Sequence, residues 1–253
     1  GVVLRTPILE SFEANAELGG RLLLRAENMQ RTGASKVRGA YHRMLGLTVA
    51  ERARGVVTYS SGNHALGVAT SAALLKSSAV IVMTSDAPLA KVAAVRGKGA
   101  RMAFYDHDTE NSAHVVARIS KETGRFEVPP SAHSEILAGA GTVALELLED
   151  APCPVDSVAI PCGGGGLAAA TATAIAMAEA SPQTRVFAAE PDFFDDTKRS
   201  PAAGERLSNP EGQRTICDSV MTPIPGELTF SINRKLLAGG VTATDDEVRE
   251  AMR

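Results

Sequence analysis

The sequence predicts an α/β protein of mostly parallel sheets flanked by helices. Two patterns carry that expectation. Short β-branched runs alternate with helix-length segments, as at 55–59 (GVVTY), 79–83 (AVIVM) and 156–160 (DSVAI). Some of these runs end in small-residue loops that open the next helix, as at 60–64 (SSGNH) and 163–166 (GGGG). That alternation implies parallel strands joined by crossovers. The chain has 253 residues, 44% of them hydrophobic, enough for one large core or two smaller ones.

Taken in order, 21–25 (RLLLR) reads as a short strand and 36–45 as a helix with Tyr41 and Met44 on one side. The strand 55–59 leads into 65–75, where small residues predict a helix packed closely on a sheet. After the strand 79–83, Asp86-Ala87-Pro88 opens a helix with proline in its first turn. This helix ends at Gly97 and Gly99. Then come a strand at 101–105, a helix over 107–123 and a short strand at 126–130. A helix at 136–149 begins near Gly139-Ala140-Gly141-Thr142, and an alanine-rich helix over 167–179 follows the tetraglycine. The strand 185–189 ends in Glu190-Pro191. The pattern weakens through the Pro/Gly/Ser-rich 200–212, and Thr244 with its acidic followers predicts a last helix start.

Charge and cysteine usage exclude several classes. Net charge is -3 without a basic stripe, which argues against nucleic acid. Cys153, Cys162 and Cys217 lack zinc spacing and a disulfide pattern, so a reducing, cytoplasmic location is expected. No apolar run is long enough to span a bilayer. The chain starts at Gly1 and stops a few residues into its last helix. A processed or trimmed N-terminus and a further C-terminal part are therefore expected.

Three stretches carry chemistry. Lys36 lies near a helix start beside Arg38, where the helix dipole and desolvation lower an ammonium pKa. A neutral lysine amine condenses with an aldehyde. Alone, the stretch reads as a solvated lysine at a helix cap. The four glycines Gly163, Gly164, Gly165 and Gly166 let successive N–H groups converge on an anion at a helix start, a phosphate cradle. A tight packing turn is the other reading. The loop Ser60-Ser61-Gly62-Asn63-His64 lies at the carboxyl end of a strand and suits a carboxylate, although His64 alone reads as a structural histidine. A reactive lysine, a phosphate cradle and a carboxylate loop together describe a pyridoxal-phosphate enzyme acting on an amino acid.

With these residues in view, the chain resembles the serine/threonine dehydratase and serine racemase family, of the tryptophan synthase β-like fold (fold type II). The family's GSFKxRGA appears as Gly33-Ala34-Ser35-Lys36-Val37-Arg38-Gly39-Ala40, and SSGNH is intact. The tetraglycine separates this group from the cysteine synthases. Thr215-Ile216-Cys217-Asp218-Ser219 resembles TIADG, and Pro225-Gly226-Glu227-Leu228-Thr229 resembles the PGELT of the threonine-dehydratase branch.

The resemblance implies roles. Lys36 would carry pyridoxal 5'-phosphate and remove the Cα proton. Asn63 would bond the cofactor's 3'-oxygen, and the four glycines its phosphate. Ser60, Ser61, Asn63 and His64 would take the substrate carboxylate. In the family's racemases the residue matching Ser61 works on the opposite face. Glu190-Pro191-Asp192-Phe193-Phe194-Asp195-Asp196 matches a metal-binding segment, with Glu190, the Phe194 carbonyl and Asp196 as ligands to Mg²⁺, Ca²⁺ or Mn²⁺. Read without the family, that segment is an acidic solvated loop.

The resemblance further implies a large cofactor-binding domain (1–54 plus 133–253), a small closing domain (55–132) and a homodimer. The expected activity is a dehydratase converting L-threonine, L-serine or 3-hydroxyaspartate to a 2-oxo acid and ammonia. The alternatives are an amino-acid racemase using Lys36 and Ser61, and a cofactor-binding protein with little turnover. The chain departs from the family in having Ala34-Ser35 for Ser-Phe, Ala140 for Gln, and Cys217 and Ser219 for Ala and Gly. The first change implies a looser or differently filled cofactor pocket. The residue that contacts the pyridine nitrogen belongs to the absent C-terminal part.

Overall fold

The structure is a computed structural model, and it describes residues 1–178 and 183–253. The chain divides into two compact units, 1–130 and 131–253. The first opens with β1 (Ile8–Glu10), α1 (Phe12–Leu18) and β2 (Leu23–Arg25). β1 and β2 pair antiparallel, Leu9 opposite Leu24. Then follow α2 (Lys36–Leu45), α3 (Val49–Arg54), β3 (Val56–Tyr59), α4 (Asn63–Leu74), β4 (Ala79–Thr84), α5 (Leu89–Arg96), β5 (Arg101–Tyr105), α6 (Ser112–Thr123) and β6 (Phe126–Glu127). The strands form one parallel sheet in the order β5-β4-β3-β6. Val56, Val57 and Thr58 are all buried, as befits a strand covered on both faces.

The second unit runs through α7 (Ser134–Asp150), β7 (Ser157–Pro161), α8 (Gly166–Met177), β8 (Arg185–Pro191), α9 (Asp196–Ala203), α10 (Glu227–Leu236), β9 (Gly239–Ala243) and α11 (Asp245–Ala251). Its sheet is parallel, in the order β7-β8-β9. The expected α/β class with parallel sheets is therefore present.

Local differences have physical causes. The helix expected at 107–123 starts at Ser112, because Asn111 accepts the Ala113 N–H and is the stronger cap. Gly139-Ala140-Gly141-Thr142 lies inside α7 and does not open it, since His133 caps the helix at Glu135. Gly141 instead gives room to α8: a Cβ there would lie 3.2 Å from the Ala170 carbonyl oxygen. The small residues of α4 serve α2 as well as the sheet. A Cβ on Gly67 would lie 3.1 Å from the Lys36 carbonyl carbon and the Val37 nitrogen. Glu179, the expected end of α8, lies outside the described residues. α11 starts as expected, with a Thr244–Glu247 capping box.

Candidate active site

In the first unit, Lys36 is the first residue of α2, and its Nζ donates to the Pro130 carbonyl at 3.3 Å. The following turn of α2 is anchored by Arg38. Its guanidinium is buried and grips Glu27 in a bidentate pair, Nε to Oε2 and Nη2 to Oε1, both 2.8 Å. Arg38 Nη2 also donates to the Leu4 carbonyl, and Glu27 accepts the Thr6 hydroxyl at 2.7 Å. The Thr6-Pro7 segment and the RGA motif are thereby joined beneath the lysine. Ser35, in place of the family's phenylalanine, is half-buried and makes no capping bond.

α4 packs against α2 and begins in the SSGNH loop. Its N-cap is Gly62, without a side-chain cap, so the first-turn N–H groups of Asn63 and His64 have neither a capping side chain nor an intrahelical acceptor. Ser61 and Asn63 are exposed, and the Ser60 hydroxyl accepts the Gly62 N–H at 3.1 Å.

The His64 side chain does something else. It is buried, and Nε2 lies 3.0 Å from the Val128 carbonyl. That carbonyl only accepts, so Nε2 carries the proton and Nδ1 is bare. Burial, reinforced by the Lys36 charge, lowers the His64 pKa to about 4, and the ring is neutral. The imidazole thus ties the loop to the strand-end backbone at Val128, and what it offers an anion is its backbone N–H.

In the second unit the tetraglycine joins β7 to α8. Gly165 takes φ +82, and the helix again starts without a side-chain cap. Added Cβ atoms would lie 2.9 Å from Thr222 Oγ1 at Gly163, 2.7 Å from Asn233 Nδ2 at Gly165, and 3.0 Å from Ser131 Cβ at Gly166. Gly165 is therefore required sterically and by its φ, Gly163 and Gly166 are tightly confined, and the loop backbone is bare of side chains, as suits a phosphate cradle.

Thr229, the last residue of the PGELT segment, donates its hydroxyl to the Gly164 carbonyl at 2.6 Å, and Asn233 Nδ2 donates to the Gly165 carbonyl at 3.3 Å. Sequence reasoning assigned no role to Thr229 and missed Asn233. The available signal was the spacing of four, which puts both on one face of α10.

Beneath the loop, Cys162 is buried, its Sγ 3.4 Å from Thr197 Oγ1. Burial pushes its thiol up to about 12, so it stays neutral. Glu190, next to last in β8, lies nearby and accepts the backbone N–H groups of Thr197 and Lys198 at 3.0 and 2.9 Å. Burial, opposed in part by those N–H groups, raises its carboxyl to about 7. Burial likewise raises Asp196 to about 6. Asp196 Oδ1 accepts from Asn209, while Oδ2 is buried without a hydrogen-bond partner.

Phe193 takes φ +66 in the turn between them, a left-handed conformation that costs a bulky residue about 1–2 kcal/mol, and Phe194 beside it is buried. Among the described residues, no group of three or more His, Cys, Asp and Glu side chains could hold a metal. No described helix is long and apolar enough to cross a membrane.

The structure thus brings Lys36 together with the SSGNH helix start in one unit, and the tetraglycine with Glu190 and Asp196 in the other.

Comparison with known proteins follows the same lines. The family model "Pyridoxal-phosphate dependent enzyme" matches residues 1–253. The L-threo-3-hydroxyaspartate ammonia-lyase of Pseudomonas sp is 39% identical over 253 residues, all of this chain and 78% of that protein. Maize serine racemase superposes with a TM-score of 0.93 at 36% identity, covering 99% of this chain and 74% of its own. The serine racemase of Dictyostelium discoideum superposes at 0.90 with 32% identity, covering 99% and 79%.

Proposed function

The chain belongs to the pyridoxal-phosphate dependent enzymes, and from that premise we propose an ammonia-lyase that eliminates the β-hydroxyl of L-threonine, L-serine or 3-hydroxyaspartate, yielding a 2-oxo acid and ammonia. The observation that carries the reading is Lys36 at the first position of α2, packed against the uncapped SSGNH start of α4. The cofactor, when bound, supplies an electron sink for charge developing at Cα.

The residues divide the remaining work. Lys36 carries the cofactor and takes the Cα proton, its amine oriented by the Pro130 carbonyl. Asn63 bonds the ring's 3'-oxygen. Ser60, Ser61 and the N–H groups of Asn63 and His64 hold the substrate carboxylate at the positive end of α4. Gly163, Gly164, Gly165 and Gly166 present N–H groups to the phosphate, and a loop backbone bare of side chains, closely packed behind by Thr222, Ser131, Thr229 and Asn233, supports this fit. The neutral Cys162 thiol beneath sets no charge against an anion. Residues 55–132 act as the closing domain, inserted into 1–54 plus 133–253.

Glu190, the Phe194 carbonyl and Asp196 take Mg²⁺, Ca²⁺ or Mn²⁺; the buried, unpartnered Oδ2 of Asp196 supports a cation there. The enzyme works as a cytoplasmic homodimer.

The test is a Lys36→Ala protein, which should release no 2-oxo acid from any of the three substrates; residual release would refute the role of Lys36. A second reading, racemisation with Ser61 returning a proton from the face opposite Lys36, is favoured by the exposed Ser61 hydroxyl and by the resemblance to maize serine racemase. Product chirality followed beside 2-oxo acid yield separates the two.

A further inference from the structure

Thr229 and Asn233 stand four residues apart on α10, both fully buried beneath the tetraglycine. Thr229 Oγ1 donates to the Gly164 carbonyl at 2.6 Å, and the Gly226 N–H reaches the same oxygen at 3.4 Å. Asn233 Nδ2 donates to the Gly165 carbonyl at 3.3 Å. In a trans peptide the carbonyl of one residue and the N–H of the next point in opposite directions, and there is no cis peptide among the described residues. A Gly164 carbonyl held toward α10 therefore turns the Gly165 N–H away from it. A Gly165 carbonyl held toward α10 does the same to the Gly166 N–H. Glycine has no side chain to keep these peptide planes from flipping, so hydrogen bonds must hold them: α8 shares the Gly165 carbonyl through the Ala169 N–H at 2.9 Å, whereas the Gly164 carbonyl is held from α10.

We propose that Thr229 and Asn233 are positioning residues for the cofactor phosphate, acting by holding the Gly164 and Gly165 carbonyls toward α10 so that the loop does not turn these carbonyl oxygens against the anion. The proposal rests on the reading that this loop holds the phosphate of pyridoxal 5'-phosphate. It gives the PGELT segment a task, since Gly226 and Thr229 both bond the loop. It also explains a cost. Asn233 Oδ1 is buried with no hydrogen-bond partner, a loss tolerated so that the amide nitrogen can hold Gly165.

The experiment compares dissociation constants for pyridoxal phosphate and for pyridoxal, which lacks the phosphate, using the full-length protein resolved from its cofactor. Thermal midpoints are measured alongside. The wild type should prefer the phosphorylated form by at least about a hundredfold, since several charge-assisted hydrogen bonds are involved. In Thr229→Val that preference should fall roughly five- to tenfold, the worth of one such positioning bond. Thr229→Ser should restore it. Asn233→Leu should lower the preference by less, since the Ala169 N–H still holds the Gly165 carbonyl, while leaving the thermal midpoint nearly unchanged, because it also removes the unpartnered oxygen.

Pyridoxal affinity should not move in any variant. Equal weakening of both ligands, or an unchanged preference in folded Thr229→Val and Asn233→Leu proteins, would overturn the proposal and leave these residues a purely structural role. A wild type with no preference for the phosphate would overturn the loop reading itself, and the proposal with it.

Discussion

Gly67→Ala puts a methyl group between the two helices of the lysine site. Its Cβ would lie 3.1 Å from the Lys36 carbonyl carbon and the Val37 nitrogen, and 3.2 Å from the Lys36 carbonyl oxygen. Comfortable carbon contacts begin near ~3.5 Å, so α2 must retreat by roughly 0.4 Å. The obstacle is backbone, and no side chain can swing aside. Two energies compete. Alanine gains about 1 kcal/mol over glycine in a helix interior. Overpacking a dense contact costs about 1–3 kcal/mol. The net expectation is a protein destabilised by about 0–2 kcal/mol.

Activity should suffer more than stability, because the displaced residue is Lys36. Misplacement of a catalytic group by about 1 Å costs about a hundredfold in rate. Scaled to roughly 0.4 Å in the exponent, turnover should fall about five- to tenfold. Urea unfolding and steady-state 2-oxo acid release, measured on one preparation, check both numbers. A Gly67→Ala protein about 1 kcal/mol more stable than wild type, with full turnover, would refute the close contact between α4 and α2.

Three further expectations can be checked with the same assays. The His64 pKa is held at about 4 against 6.5 in the unfolded chain, so its stabilisation is complete above pH 6.5 and is lost as pH falls through 6.5 toward 4. Glu190 and Asp196, whose pKa values are raised on folding, slope the other way. In urea titrations, the wild type should therefore lose about 2 kcal/mol more between pH 7 and 5 than His64→Gln, and equal losses would sink the account.

Arg38→Met strands Glu27 half-buried without its bidentate partner and should cost about 3–5 kcal/mol. The double variant Arg38→Met/Glu27→Gln should recover part of that, and additive losses would contradict a direct pair. Mg²⁺ or Ca²⁺ should raise the thermal midpoint of the wild type and not of Asp196→Asn; a wild type indifferent to both ions would remove the metal from the Glu190 loop.

Much of this protein was legible as a sequence, and all of that part is local. The β-branched runs, the glycines that must turn, and the SSGNH and GGGG helix starts are decided by residues within a few positions of one another. So are caps such as Thr244–Glu247, where a hydroxyl and a carboxylate three residues apart satisfy each other's backbone. The class of fold follows from such signals, and so does the choice of Lys36 and the four glycines as candidates. Weaker local signals left β1, α1, α3, α9, α10 and β9 unread, since these short elements hold few buried side chains and take their shape from neighbours.

What the tertiary structure decided lies between residues far apart in the chain. Lys36 meets Pro130 across 94 residues, His64 meets Val128 across 64, and Asn233 holds Gly165 across 68. No spacing rule announces such pairs. The same separation makes the His64 side chain a neutral strut and leaves only its backbone N–H for an anion, because burial costs an imidazolium its hydration and the Val128 carbonyl claims the ring's one proton. Sequence determines which backbone can bend and which side chain can react. Only the packed chain determines which atoms are left without water, and a side chain's charge and available hydrogens depend on that.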